Sequence, residues 1–271
     1  MDGIIRIASA FEMANSAGRA AFMPYLTLGY PEPMLSLSLV EAAANSGADL
    51  IELGIPFSDP LADGPTIQHS TQVALEQGMT VARCIDFMDK IRCRGVGLPM
   101  LMMGYFNPLL SYGLEQFVTD ATQAGADGFI IPDLPQEEAI IMEAACYKHG
   151  RALVYLVSPN TKPERLALLA QRTSGFLYLV SVTGVTGARE NLPGDLKAFI
   201  CRARAVAKTP LAVGFGITTP AQACAVGSLA DGVIVGSALV NAIDAQGSDP
   251  IQNVIKFVSG FTKEMAASSK A

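Results

Sequence analysis

Leu50-Ile-Glu-Leu-Gly-Ile-Pro-Phe-Ser-Asp-Pro-Leu-Ala-Asp-Gly-Pro65 starts as an apolar strand and ends as a stiff polar loop. One carboxylate, Glu52, stands inside the apolar run. Burying a carboxylate is costly unless the group is paired or has a chemical task. The run breaks at Gly54 and Pro56, and the loop that follows carries two more acids, Asp59 and Asp63. An acid near the C-terminal end of a strand, followed by a rigid loop, is how parallel barrels build active sites. The plainer alternative is an edge-strand glutamate in water beside a proline-rich turn.

The same strand entry recurs. Gly47-Ala-Asp-Leu-Ile-Glu-Leu53, Gly125-Ala-Asp-Gly-Phe-Ile-Ile131 and Ala230-Asp-Gly-Val-Ile-Val235 each run from a helix end into a buried strand. Gly47 and Gly125 suit the left-handed position that closes a helix. Working outward, short apolar runs predict eight strands: 22–27, 49–53, 99–103, 128–131, 153–157, 176–181, 211–214 and 232–235. Helical patterns fall between them at 33–46, 67–92, 114–124, 136–148, 163–171, 195–207 and 220–228. Further helices are expected at 4–17 and 250–267. Strands that are apolar throughout, each followed by a helix, imply a parallel sheet covered on both faces. Eight such units predict a (β/α)8 (TIM) barrel, a single domain over residues 1–271 with an extra N-terminal helix. A doubly wound open sheet is the competing fold, and no G-x-G-x-x-G after the first strand supports it.

Composition narrows the function. Half of the 271 residues are hydrophobic and 16% are charged, which favours a large core. A net charge of -6 argues against nucleic acid as the main partner. The five cysteines, 84, 93, 146, 201 and 224, are odd in number and widely spaced, as reduced intracellular thiols are. The first residues show no secretory pattern, and no stretch approaches 18 unbroken apolar residues, so no membrane segment is predicted and a cytoplasmic location is expected.

In a barrel the chemistry sits at strand C-termini. Ser181-Val-Thr-Gly-Val-Thr-Gly187 follows the sixth strand, Gly214-Phe-Gly-Ile217 the seventh and Gly236-Ser237 the eighth. Glycines let a phosphate approach the backbone, where amides bind it without Lys or Arg. None of the eight lysines falls on a predicted strand, so a Schiff-base nucleophile is not expected. His69 and His149 share no metal-ligand spacing, and no metal site is predicted. Carboxylates, a tyrosine and backbone amides remain, a set suited to proton transfer on a phosphorylated substrate. Tyr25, Met103, Tyr105, Phe129 and Phe215 are candidates for an aromatic pocket, although each also fits ordinary barrel packing. Tyr178 would stand near Glu52 if it faces the barrel axis. On this inventory, another phosphate-binding barrel such as a sugar-phosphate isomerase, or a non-catalytic partner subunit, stays possible.

The longer motifs are specific. Glu52-Leu-Gly-Ile-Pro-Phe-Ser-Asp-Pro-Leu-Ala-Asp-Gly-Pro-Thr-Ile-Gln68 resembles the signature of the tryptophan synthase alpha subunit, and the resemblance extends over nearly the whole chain. Pro24-Tyr-Leu-Thr-Leu-Gly-Tyr-Pro31, Ile131-Pro-Asp-Leu-Pro135, Gly184-Val-Thr-Gly187 and Gly214-Phe-Gly-Ile217 follow in family order. The resemblance implies a lyase that cleaves indole-3-glycerol phosphate to indole and glyceraldehyde 3-phosphate. It implies no cofactor on this chain, PLP only in a partner beta subunit, and an alpha2beta2 assembly. By resemblance, Glu52 is the catalytic acid/base, Asp63 accepts the indole N–H and Tyr178 stands near Glu52. Thr186 would contact Asp63 on loop closure. Gly187, Gly216, Gly236 and Ser237 fit the phosphate site, while Tyr25, Met103 and Phe215 fit the indole pocket. Tyr25 and Met103 depart from the Phe and Leu common in bacterial members. The proline-bounded segments 56–60 and 131–135 shape turns and, by resemblance, suit docking of the beta subunit, which would order residues 183–189.

Overall fold

The computed structural model describes residues 2–181, 194–214, 216–245 and 247–268. Its strands are β1 (Ala21–Thr27), β2 (Ile51–Gly54), β3 (Met100–Met103), β4 (Gly128–Ile130), β5 (Ala152–Val154), β6 (Leu156–Val157), β7 (Leu177–Val180), β8 (Leu211–Gly214) and β9 (Gly232–Val235). The helices are α1 (Gly3–Ser16), α2 (Pro33–Asn45), α3 (Pro65–Glu76), α4 (Val81–Cys93), α5 (Phe106–Tyr112), α6 (Leu114–Gln123), α7 (Ile140–His149), α8 (Pro163–Arg172), α9 (Gly194–Arg204), α10 (Pro220–Gly227), α11 (Ser237–Ile243) and α12 (Pro250–Ala267).

All strand pairs are parallel, in the order β5-β4-β3-β2-β1-β9-β8-β7-β6. β5 and β6 are two halves of the fifth strand, parted at Tyr155. β5 pairs with β4 and β6 with β7. The Tyr178 N–H donates to the Tyr155 carbonyl at 3.0 Å, so the break is also the seam that closes the barrel. Eight strand positions result, as the alternation predicts.

The repeated Gly/Ala-Asp entry is a clamp at the N-terminal end of the barrel. Asp49 accepts the Phe22 N–H at 2.8 Å, Asp127 that of Met100 at 2.9 Å and Asp231 that of Leu211 at 2.8 Å. In each case the aspartate N–H returns a bond to the carbonyl of that same residue, at 2.9 Å. Each carboxylate also holds an arginine: Arg19 on Asp49, Arg92 on Asp127 and Arg204 on Asp231. These clamps fix the register between strands that are neighbours in both sequence and space.

Local chemistry explains the helix bounds. Asp2, Glu32, Thr80 and Asp249 cap α1, α2, α4 and α12 through side-chain oxygens, and Thr219 with Gln222 forms a capping box on α10. α1 packs under the barrel through Phe11, 5.6 Å from Phe176, and α12 stacks Phe261 on Phe22 of β1 at 5.2 Å. The helix expected over 67–92 is two helices. Gly78 at φ 77° turns the chain between α3 and α4, and Thr80 restarts it. α5 was absent from the predicted elements; it and α11 are both seven residues long. Among the described residues no helix is long and apolar enough to cross a membrane.

Candidate active site

A cavity of about 130 Å³ opens at the C-terminal end of the barrel. Its lining brings together Tyr25, Glu52, Asp63, Met103, Tyr178, Gly216, Gly236 and Ser237. Among the described residues Ile67, Ile217, Thr218 and Ile234 also line it; Ile217 ends the glycine loop read in the sequence, and the other three were not named there as site residues. Ile234 was within reach of the alternation rule, since it lies two residues before Gly236 and shares its face of the strand. Ile67 lies on α3, and its part in the cavity depends on tertiary placement.

Register puts Glu52 at the centre. Tyr25 of β1 pairs with Glu52 of β2, which pairs with Leu101 of β3. Glu52 is 1% exposed, and its Oε1 has no hydrogen-bond partner among the described residues. Removal from water penalises the charged form, so burial pushes this carboxyl up to about 8. Two tyrosines flank it, each seated against a glycine. A Cβ at Gly54 would collide with the Tyr25 hydroxyl, and one at Gly214 with the Tyr178 hydroxyl. Burial raises both phenols above their ordinary value, and nearby Glu52 and Asp63 raise them further.

Asp63 arrives from the loop between β2 and α3. Burial raises it to about 6, against a hydrogen bond from Tyr105 that lowers it. The Tyr105 hydroxyl donates to Asp63 Oδ2 at 3.0 Å and accepts the Ala62 N–H at 3.0 Å. The Tyr105 hydroxyl therefore supports an acid that lines the cavity. The expectation for Phe129 is corrected: its ring packs on Phe117 of α6 at 5.1 Å, on the helix side of β4. Successive strand residues face opposite ways, so a one-residue step decides between wall and outer layer. Thr186, Gly187 and Phe215 lie outside the described residues. Among the described residues no cluster of His, Cys, Asp and Glu has the arrangement of a metal site.

A central buried carboxyl, a second acid on a loop and glycine turns at the last two strands thus meet at one cavity. The model of the tryptophan synthase alpha chain family matches residues 11–270. The chain belongs to the tryptophan synthase alpha chain family. It is 51% identical over 239 residues to the tryptophan synthase alpha chain of Chloroflexus aurantiacus, covering 88% of this chain and 90% of that one. That of Roseiflexus sp. is 49% identical over 254 residues, covering 93% and 97%. Among solved structures, tryptophan synthase subunit alpha from Legionella pneumophila superposes with a TM-score of 0.88 at 38% identity, covering 98% of each chain. Tryptophan synthase from M. tuberculosis gives 0.86 at 36% identity, covering 97% of this chain and 98% of that one. The family is a lyase of tryptophan biosynthesis: its alpha chains cleave indole-3-glycerol phosphate and pair with beta subunits.

Proposed function

We propose that Glu52 and Asp63 divide the work of cleaving indole-3-glycerol phosphate to indole and glyceraldehyde 3-phosphate on this chain. The observation that carries this reading is the buried Glu52 carboxyl, which opens onto the same cavity as Asp63. Held neutral by burial, Glu52 protonates C3 of the indole ring. Positive charge then develops on the ring nitrogen, where the Asp63 carboxylate accepts the N–H and stabilises it. Glu52, now a carboxylate, takes the proton of the glycerol hydroxyl next to the ring. The carbon–carbon bond breaks, its electron pair restores the indole, and the new carbonyl leaves as glyceraldehyde 3-phosphate. Glu52 ends protonated, ready for the next substrate. One carboxyl thus serves as acid and then base, which is efficient when its affinity for protons lies near the working pH.

Tyr25, Met103, Ile67 and Ile234 supply apolar wall for the indole ring, and Tyr178 closes the side of Glu52. The phosphate is assigned to Gly216, Gly236 and Ser237, where a positive φ at Gly216 and the first-turn amides of α11 offer backbone donors. Thr186, Gly187 and Phe215 are assigned to substrate contacts by resemblance alone. Acid–base groups account for each step without a cofactor on this chain, and by resemblance to the family PLP belongs to the partner beta subunit. A cytoplasmic alpha2beta2 complex is the expected setting. The test is indole release from indole-3-glycerol phosphate, with and without a beta subunit. Glu52→Gln keeps the shape and loses the proton, so turnover should fall about 10²–10⁴-fold. Near-normal turnover in a folded Glu52→Gln protein removes Glu52 from the mechanism.

A further inference from the structure

The loop that carries Asp63 is held to the barrel at three points by one residue. Tyr105 stands just beyond β3. Its hydroxyl donates to Asp63 Oδ2 and accepts from the Ala62 N–H, both at 3.0 Å, and its ring lies against Phe57 at 5.5 Å. The next residue is fixed as well, because the Phe106 N–H donates to Asp133 Oδ1 at 2.8 Å. With an acceptor site taken by Ala62, the phenol hydrogen is aimed at Asp63. Among the described residues no Lys, Arg or His forms an ion pair with Asp63. The titratable groups facing it are Tyr25 from β1, Glu52 from β2, Tyr105 after β3 and Tyr178 from β7. Asp133 in turn faces Tyr105. Of these, Tyr105 is the one seen donating to the Asp63 carboxylate.

We propose that Tyr105 is a positioning residue: its phenol holds the Asp63 carboxylate in the orientation that receives the indole N–H. The inference rests on the role given to Asp63 under the proposed function. A phenol bond to a charged carboxylate fixes its direction and favours its ionised form. Both effects matter most when charge develops on the indole nitrogen, so the loss should appear in kcat more than in KM.

Tyr105→Phe removes the hydroxyl and keeps the ring against Phe57. Steady-state cleavage across pH 5–9 should show kcat lowered roughly ten- to hundredfold, as for loss of a hydrogen bond to a charged group. The acid limb of the kcat/KM profile should move to higher pH, because Asp63 loses a bond that favours its charge. Replacing Tyr105 with 3,5-difluorotyrosine, a stronger donor, should move that limb the opposite way, and this arm serves if the Phe protein does not fold. An acid limb that stays in place in Tyr105→Phe, or an equal loss at every pH, overturns the proposal. Asp63→Asn separates the two readings. If it cleaves normally, the role of Asp63 itself fails; if it is inactive while Tyr105→Phe keeps the wild-type profile, only the positioning role fails.

Discussion

Glu52 and Asp63 are both carboxyls in one cavity, yet the protein gives them different proton affinities. Glu52 is enclosed and lacks a partner on Oε1, whereas Asp63 receives the Tyr105 hydroxyl. One is pushed up to about 8 and the other to about 6. The proposed chemistry uses Glu52 protonated and Asp63 ionised. The kcat/KM profile should therefore be bell-shaped, falling below about pH 6 as Asp63 gains its proton and above about pH 8 as Glu52 loses its own. A profile that keeps rising past pH 9 would contradict the assignment of Glu52 as the initial acid. The same burial has a cost in stability. An unfolded chain ionises this glutamate near 4.5, and the native protein holds its proton to about 8. Between these values the native state binds more protons, so stability declines as pH rises, by up to about 1.4 kcal/mol per pH unit. Denaturant unfolding of wild type and Glu52→Gln at pH 5 to 9 should show the variant gaining relative stability through that window. Parallel curves would mean that Glu52 is not buried as an acid.

At the level of elements, the three aspartate clamps share a pattern but not an environment. Side-chain exposure is 17% and 1% for Arg92 and Asp127, 17% and 13% for Arg19 and Asp49, and 44% and 29% for Arg204 and Asp231. Breaking a buried pair strands a charge, while an exposed pair is screened by water. Asp127→Asn should cost about 3 kcal/mol, and Asp231→Asn about 1 kcal/mol or less, with Asp49→Asn between them. Chemical denaturation of the three variants checks the order, and a larger loss at Asp231 would break the argument. The clamps also show what the sequence made legible. The Gly/Ala-Asp echo and the apolar runs predicted the barrel and its strands, because strand period and helix-closing glycines are local signals. The split of 67–92 was local too, written in Gly78 and Thr80, but overshadowed by continuous amphipathic spacing. α5 was hidden by Asn107-Pro108, which reads as a turn although proline is tolerated in the first turn of a helix. The outer-layer place of Phe129 and the bond from Tyr105 to Asp63 were hidden for another reason. Aromatic identity does not reveal strand parity or which neighbour a hydroxyl meets.

Across the whole molecule, stability and chemistry occupy opposite ends of the barrel. The N-terminal end carries the clamps and α1, while the C-terminal rim carries Glu52, Asp63 and the loops after β2, β3 and β4. The rim also exposes apolar surface: Leu61, two residues before Asp63, is 93% exposed, and Leu110, Ile140 and Ile141 are also exposed. A monomer gains little by holding such a leucine in water beside its active site, whereas docking of a beta subunit on this surface would bury it. The path inward is short. Asp59 and Leu61 share a backbone bond of 3.0 Å, the Asp63 N–H donates to the Pro60 carbonyl at 3.0 Å, and Tyr105 ties Ala62 and Asp63 to the end of β3. A partner docking on residues 56–61 would act on the same loop that carries Asp63, and these few bonds would couple docking to catalysis. Asp59→Ala and Pro56→Ala should reduce stimulation of indole release by the beta subunit more than they reduce release by the isolated chain. Cleavage assays titrated with beta subunit measure both quantities on one preparation. Equal losses in the two would show that this loop serves the local site and transmits nothing from the partner.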